Sequence, residues 1–459
     1  MSSQMKTSDA KKMGVLALTL VTASNMMGSG VFLLPTNLGK IGAISIFGWI
    51  VTIIGVLALA LVFAKTALIH LKIGGIVSYA RDAFGPFVGF QSTVAYWVSA
   101  WIGNVALLVA GVGYLAYFFP ILKDPNVGPT YSCILAIIIL CAYLFLSSFG
   151  AKIAGSAQSF TAICGLIVIL GVGIFGWFFF NPTTYFSVIN DTGDSNFSAI
   201  ISAASLALWG FLGVESAVVS TGQVENPEKT VPKATVMGLL IASFCYVAST
   251  TVIMGIVPHE VLSTSSAPFA DAVRYMFDSE LAGSIASALS VLACFGSISG
   301  WFILQSEAPR AAAESGLFPK WFADLNKNGT PMKSLIFTAV LMSIVLLMTA
   351  NPNLADQFEV IILISVYCSL LPYIYAVAAL PILWTAKKLN KAGNFKIYTI
   401  LEIIAILYCM FALVGSGADS IFYGTLLVTF MIPVFCFPAL KLINNGKLKL
   451  ETEDANVKN

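Results

Sequence analysis

The amino-acid sequence predicts an all-α membrane protein. It predicts twelve transmembrane helices built as a 5+5 inverted repeat, with helices 1 and 6 broken. Three observations carry this. Of 459 residues, 58% are hydrophobic and only 10% are charged, against about 25% charged in soluble domains. Apolar runs of spanning length recur along the whole chain. Glycine-rich interruptions fall inside the first and the sixth of them.

The apolar runs lie near 14–36, 42–64, 86–118, 128–148, 155–180, 197–222, 235–257, 281–306, 334–350, 357–384, 397–416 and 421–440. Most reach the ~20 residues that a bilayer-spanning helix needs. The third and fifth are long enough to tilt. Residues 65–84, semi-polar and containing Gly74-Gly75, predict a short helix along the inner face. Of the 24 Lys and Arg, only Lys40, Lys123 and Arg274 then fall outside. That is the positive-inside pattern, with both tails cytoplasmic. The expected organisation is a tail at 1–13, one transporter domain at 14–440 and a tail at 441–459. Within the domain the repeats cover about 14–180 and 197–384, and helices 11 and 12 follow at about 397–440. The lysines before the first run resemble a signal peptide, but the run is too long and has no clear small-residue cleavage site. Glu225 to Pro232 is expected as a turn-rich connector.

The first interruption is Asn25-Met26-Met27-Gly28-Ser29-Gly30-Val31-Phe32. A helix broken within hydrocarbon leaves peptide groups bare, so the gap must face protein or a wet cavity. The outer half-helix then offers free N–H groups and a positive dipole end to a carboxylate. The second is Leu208-Trp209-Gly210-Phe211-Leu212-Gly213-Val214-Glu215-Ser216, five helices later. An odd span count inverts the second unit, and the site of such transporters lies between the two breaks.

Glu215 is the sharpest single signal. A charge at mid-bilayer costs at least ~2.5 kcal/mol and marks a functional site by default. It suits sensing a cation or carrying a proton. Tyr96-Trp97, Trp101, Trp209 and Trp301 fall within spans rather than only at interfaces, and an indole face attracts a guanidinium or an ammonium. Asn104, amid apolar neighbours, needs a hydrogen-bond partner, from a neighbouring helix or from a substrate head group. Ser365 and Tyr373 are further candidates. His70 and His259 are read as solvated loop residues. The eight cysteines form no CxxC pair, so neither a metal nor a disulfide framework is indicated. No phosphate-binding loop, HExxH or GxSxG motif occurs, and the net charge of +2 gives no nucleic-acid footprint. The chain is read as a non-enzyme without cofactor.

Several stretches carry a family resemblance. They are Asn25 to Pro35, Trp101 to Asn104, Phe119 to Pro125, Gly213 to Ala217, Glu225 to Pro227, Gly316 to Pro319 and Leu371 to Tyr373. Together they resemble the bacterial basic amino acid/polyamine antiporters of the amino acid–polyamine–organocation superfamily, most closely the members that exchange arginine for agmatine. The resemblance implies a LeuT-like fold and a homodimer in the inner membrane. It implies alternating-access import of a cationic amino acid, arginine first, against its decarboxylated amine. Net import of arginine, lysine or ornithine, or lysine/cadaverine or ornithine/putrescine exchange, is the alternative. Ser29 and Gly30 would hold the substrate carboxylate. Carbonyls near Asn25, Met26 and Trp209 would meet its amino group. Trp301 would stack on the side-chain cation, with Asn104 and Ser365 bonding it and Ser99 and Leu212 beside it. Trp209 would close the outer side. Tyr96, Glu215 and Tyr373 would close the inner side. Met26 looks more like the lysine/cadaverine and ornithine/putrescine members than the arginine one, whereas Gly210, Ser99, Ala100 and the stretch from Ser306 to Arg310 depart from the family pattern.

Overall fold

Helix α1 (Val15–Met27) is apolar. The chain reappears at Val31 in a turn and enters α2 (Leu34–Ile41), with Pro35 in its first turn. Proline suits that place because its missing N–H would find no helical partner there anyway. The computed structural model describes residues 13–27, 31–70, 75–219, 224–350, 358–389, 394–436 and 440. Gly28, Ser29 and Gly30, at the predicted first break, lie outside them.

The rest of the first half comprises α3 (Ser45–Ile69), α4 (Gly75–Phe84), α5 (Pro86–Leu115), α6 (Gly128–Ser147), α7 (Ala151–Phe175) and the short α8 (Pro182–Tyr185). The second half opens with α9 (Asn196–Gly210), capped by the Ser195 hydroxyl, which accepts from the Ser198 N–H at 3.2 Å. A turn over 211–215 separates α9 from α10 (Ser216–Val219). Then come α11 (Pro227–Ile256), α12 (His259–Leu262), α13 (Pro268–Phe277), α14 (Glu280–Glu314), α15 (Met332–Met348), α16 (Phe358–Ala386), α17 (Phe395–Gly415) and α18 (Gly417–Phe430). Among the described residues nine helices are long and apolar enough to cross a bilayer, and three shorter apolar ones (α1, α9 and α15) accompany them.

Three boundaries differ from expectation. The expected connector at 225–232 is largely helix, because α11 begins at Pro227 and continues through Pro232. The longest helix is α14, with 35 residues, and it runs past the expected end at 306. Ala311 to Ala313 favour helix there, and Arg310 pairs with Glu307 and Glu314 at helical spacing. The semi-polar stretch after the second span is not one helix, since α3 continues to Ile69 before α4 begins.

At the centre α5 packs on α14 and α16, while α1 lies on α11 and α3 on α9. Gly111 lets α5 and α14 approach, because the Phe295 ring stands 2.3 Å from where a Cβ would be. On α17, Ile400, Ile403, Leu407, Met410 and Val414 are all more than half exposed. Their three- and four-residue spacing makes one outward apolar face.

Candidate functional site

The second break is built around Gly213, whose φ of +101° side chains rarely tolerate. A Cβ placed there would stand 3.3 Å from the Asn25 carbonyl oxygen and 3.6 Å from Trp301 Cζ2. The end of α1, the turn of the second break and the middle of α14 therefore meet at one point. Both breaks expose peptide carbonyls, and in each a distant tyrosine satisfies one. Tyr114 Oη donates to the Phe32 carbonyl and Tyr246 Oη to the Gly210 carbonyl, each at 2.8 Å.

Beside this point lies a narrow cavity of about 10 Å³, at the lower limit for a single water. One face of α5 supplies Tyr96, Ser99, Ala100, Gly103 and Leu107. The break supplies Trp209, Leu212 and Glu215, α14 supplies Trp301, and α16 supplies Ser365, Ser369 and Tyr373. The α16 residues recur every four positions, so they form one stripe of that helix.

Glu215 is 2% exposed. Tyr96 Oη donates to its Oε1 at 2.8 Å and Tyr373 Oη to its Oε2 at 2.7 Å. Protonation of that carboxylate would turn an acceptor oxygen into a donor, so one of these bonds would have to reverse or break. Tyr96 and Glu215 also line a second cavity, of about 330 Å³, together with residues of α4 and the end of α14. The tyrosine–carboxylate bridge is thus the partition between the two spaces.

Three hydroxyls cluster further along the same two helices, α5 and α16. Ser99 Oγ lies 3.0 Å from Ser365 Oγ and 2.5 Å from Ser369 Oγ, and Ser365 Oγ also donates to the Ser99 carbonyl at 2.8 Å. Ser369 was not singled out from sequence. Its four-residue spacing from Ser365 was the available signal.

The structure gathers Ser99, Trp209, Leu212, Glu215, Trp301, Ser365, Tyr96 and Tyr373 around the cavity and brings the Asn25 backbone to its edge. Met26 is fully buried and is not among the lining residues. Ser29 and Gly30 lie outside the described residues. Asn104 turns away from the cavity and donates through Nδ2 to Gln305 Oε1 on α14 at 2.8 Å. Of its two open readings, the neighbouring helix is the partner found. Trp97 and Trp101 also miss the site, since Trp97 packs among Phe318, Phe322 and Phe337 and against Trp101. The histidines are not simply solvated. His70 Nε2 lies 2.7 Å from Asp82 Oδ2, and His259 Nε2 lies 3.0 Å from Asp191 Oδ2.

The family model for amino acid permeases matches residues 13–439. The chain belongs to the amino acid permease family. This permease is therefore a multi-pass membrane transport protein and not an enzyme. It is 37% identical over 427 residues to the putrescine transporter PotE of Escherichia coli strain K12, covering 93% of the permease and 96% of that protein. It is also 37% identical over 422 residues to PotE of Haemophilus influenzae, covering 92% and 95%. Against the cadaverine/lysine antiporter of Escherichia coli strain K12 the identity is 37% over 433 residues, covering 93% and 95%. These relatives are named for diamines and lysine, which favours the alternative substrates over the arginine and agmatine expected first.

Proposed function

We propose that the permease exchanges a cationic amino acid with a primary side-chain amine, lysine or ornithine, for the matching diamine, cadaverine or putrescine. The observation that carries this reading is the trio Ser99, Ser365 and Ser369 facing Glu215, Trp209 and Trp301 around one cavity. An ammonium has three rotatable donors, whereas a guanidinium is a planar fork. Three clustered hydroxyl acceptors suit the ammonium, and the indole faces add cation–π attraction. The relatives named for putrescine and for cadaverine/lysine support the same choice.

The transport cycle follows from this narrow geometry. A cavity that admits at most one water must widen before an amino acid enters. Opening inward requires the bridge of Tyr96, Glu215 and Tyr373 to part. A cation arriving beside Glu215, or a proton on it, competes with the tyrosine hydroxyls for its oxygens. Trp209 stands on the break where the outer side would close. The links between the half-helices at the two breaks, among them the turns over 31–33 and 211–215, would supply the substrate's carboxylate and amino contacts, with Ser29 and Gly30 proposed for the carboxylate.

The architecture we infer is twelve spans in two inverted units, with both tails on the cytoplasmic side of the bacterial cell membrane. The breaks stand at the same place in the two units. Each unit also carries a ten-residue amphipathic helix between its second and third spans, α4 in the first and α13 in the second. The test is exchange in proteoliposomes. Vesicles loaded with cadaverine or putrescine should take up labelled lysine or ornithine, and empty vesicles should not. Faster arginine uptake against agmatine than against either diamine would overturn the choice of substrate. Uptake into empty vesicles would overturn exchange.

A further inference from the structure

The second cavity lies between Glu215 and the inner end of α14, on the side where the sequence places most of its Lys and Arg. Its walls carry three carboxylates, Glu215, Glu307 and Glu314, and two guanidiniums, Arg81 and Arg310. Arg81 is turned toward Asp82, with Nε 3.1 Å from Oδ1. Arg310 is held on its own helix. Its Nε and Nη2 donate to Glu307 Oε2 at 2.9 and 2.6 Å, and its Nη1 donates to Glu314. The Arg310 side chain is 25% exposed, and those of Glu307 and Glu314 are 45% and 55% exposed. Water and small cations reach all three, and ion pairs this exposed are weak enough to change partners.

We propose that Glu307 and Glu314 form an entry subsite for the alkylammonium substrate arriving from the cytoplasm, with Arg310 as the resident cation it displaces. The inference rests on the exchange reading above. With Arg310 in place one positive charge already stands between the two vestibule carboxylates, and a monovalent metal ion gains little. A diamine carries two charges, so one end can take Glu307 while the other advances toward Glu215. The subsite thereby raises the local concentration of the diamine on the cytoplasmic side alone. It leaves the external approach untouched, because none of these three residues lines the central cavity.

The test uses the full chain in proteoliposomes of uniform orientation, with labelled putrescine and cadaverine offered to either face. E307Q should raise the cytoplasmic-side KM about three- to fivefold, the scale of a lost exposed ion pair, with E307D restoring it. Replacing Arg310 with glutamine should lower the same KM about two- to threefold by freeing both carboxylates. The KM measured from the external face should stay at the wild-type value in each variant, which also shows that the variants are folded. Equal changes on both faces, or none on the cytoplasmic face, would overturn the inference while leaving exchange intact. Wild-type vesicles that exchange no diamine would overturn the exchange reading and this inference with it.

Discussion

The Tyr373 hydroxyl reaches Glu215 Oε2 across 2.7 Å, and 158 residues of chain separate the two. Tyr96 takes the other oxygen from the opposite side. A carboxylate held by two neutral donors from two helices is a bolt across α5, the second break and α16. Glu215→Gln should therefore keep the fold but lose the group that we propose couples transport to protons. An amide still accepts through its oxygen, while its NH₂ faces a hydroxyl that must turn to accept. We expect slower exchange with a flattened pH profile, measured as initial uptake in proteoliposomes, with the melting temperature in detergent near that of wild type. An unchanged pH profile would remove Glu215 from the coupling.

Tyr373→Phe isolates half of the bolt. It deletes a hydrogen bond to a charged acceptor, worth about 1.5–3 kcal/mol, and leaves Oε2 to water or substrate. The inner side should open more often. The expected signs are labelling, from the cytoplasmic face, of a cysteine placed at Thr93, which lines the second cavity, and faster counterflow. Protection from labelling equal to wild type would mean that Tyr96 alone holds the closure.

How far the sequence reached depends on the range of the interactions concerned. The second break was legible because glycines inside an apolar run are a local anomaly, and α9 does end at Gly210. Glu215 was legible because a lone carboxylate in that setting stands out by composition. Gln305 and Ser369 were not, since a polar residue in a membrane helix announces nothing until its partner is known. Those partners, Asn104 and Ser99, lie 201 and 270 residues away. The direction of Trp97 and Trp101 was hidden for another reason. A helix apolar on every side carries no periodicity to say which face meets the site.

The serine trio makes a prediction about selectivity. Ser369→Ala removes one hydroxyl acceptor from the wall and should raise KM for lysine and cadaverine about 10- to 150-fold, the scale of one hydrogen bond to a charged group. Competition by arginine should weaken less, because a guanidinium fork uses fewer of the three acceptors. A competition panel of unlabelled lysine, ornithine, arginine, cadaverine, putrescine and agmatine reads this directly. Equal loss for ammonium and guanidinium ligands would sink the assignment of the trio to the ammonium.

The tyrosines that satisfy the broken helices lead to a stability prediction. Tyr246 is fully buried and stacks on Trp49, with ring centroids 5.7 Å apart. Its hydroxyl is the hydrogen-bond partner observed for the Gly210 carbonyl where α9 ends. Tyr246→Phe keeps the stacking ring and leaves that carbonyl unpaired, a cost of about 1–3 kcal/mol. Tyr114→Phe does the same to the Phe32 carbonyl at the first break. Both variants should melt earlier in detergent than wild type, and saturating lysine should restore part of the difference, since a ligand that binds only the folded state stabilises it. The two tyrosines hold different breaks, so the double variant should lose the sum of the single losses if the breaks are independent. A loss clearly different from that sum would mean that the end of α1 and the second break, which meet at Asn25 and Gly213, are energetically coupled across the site.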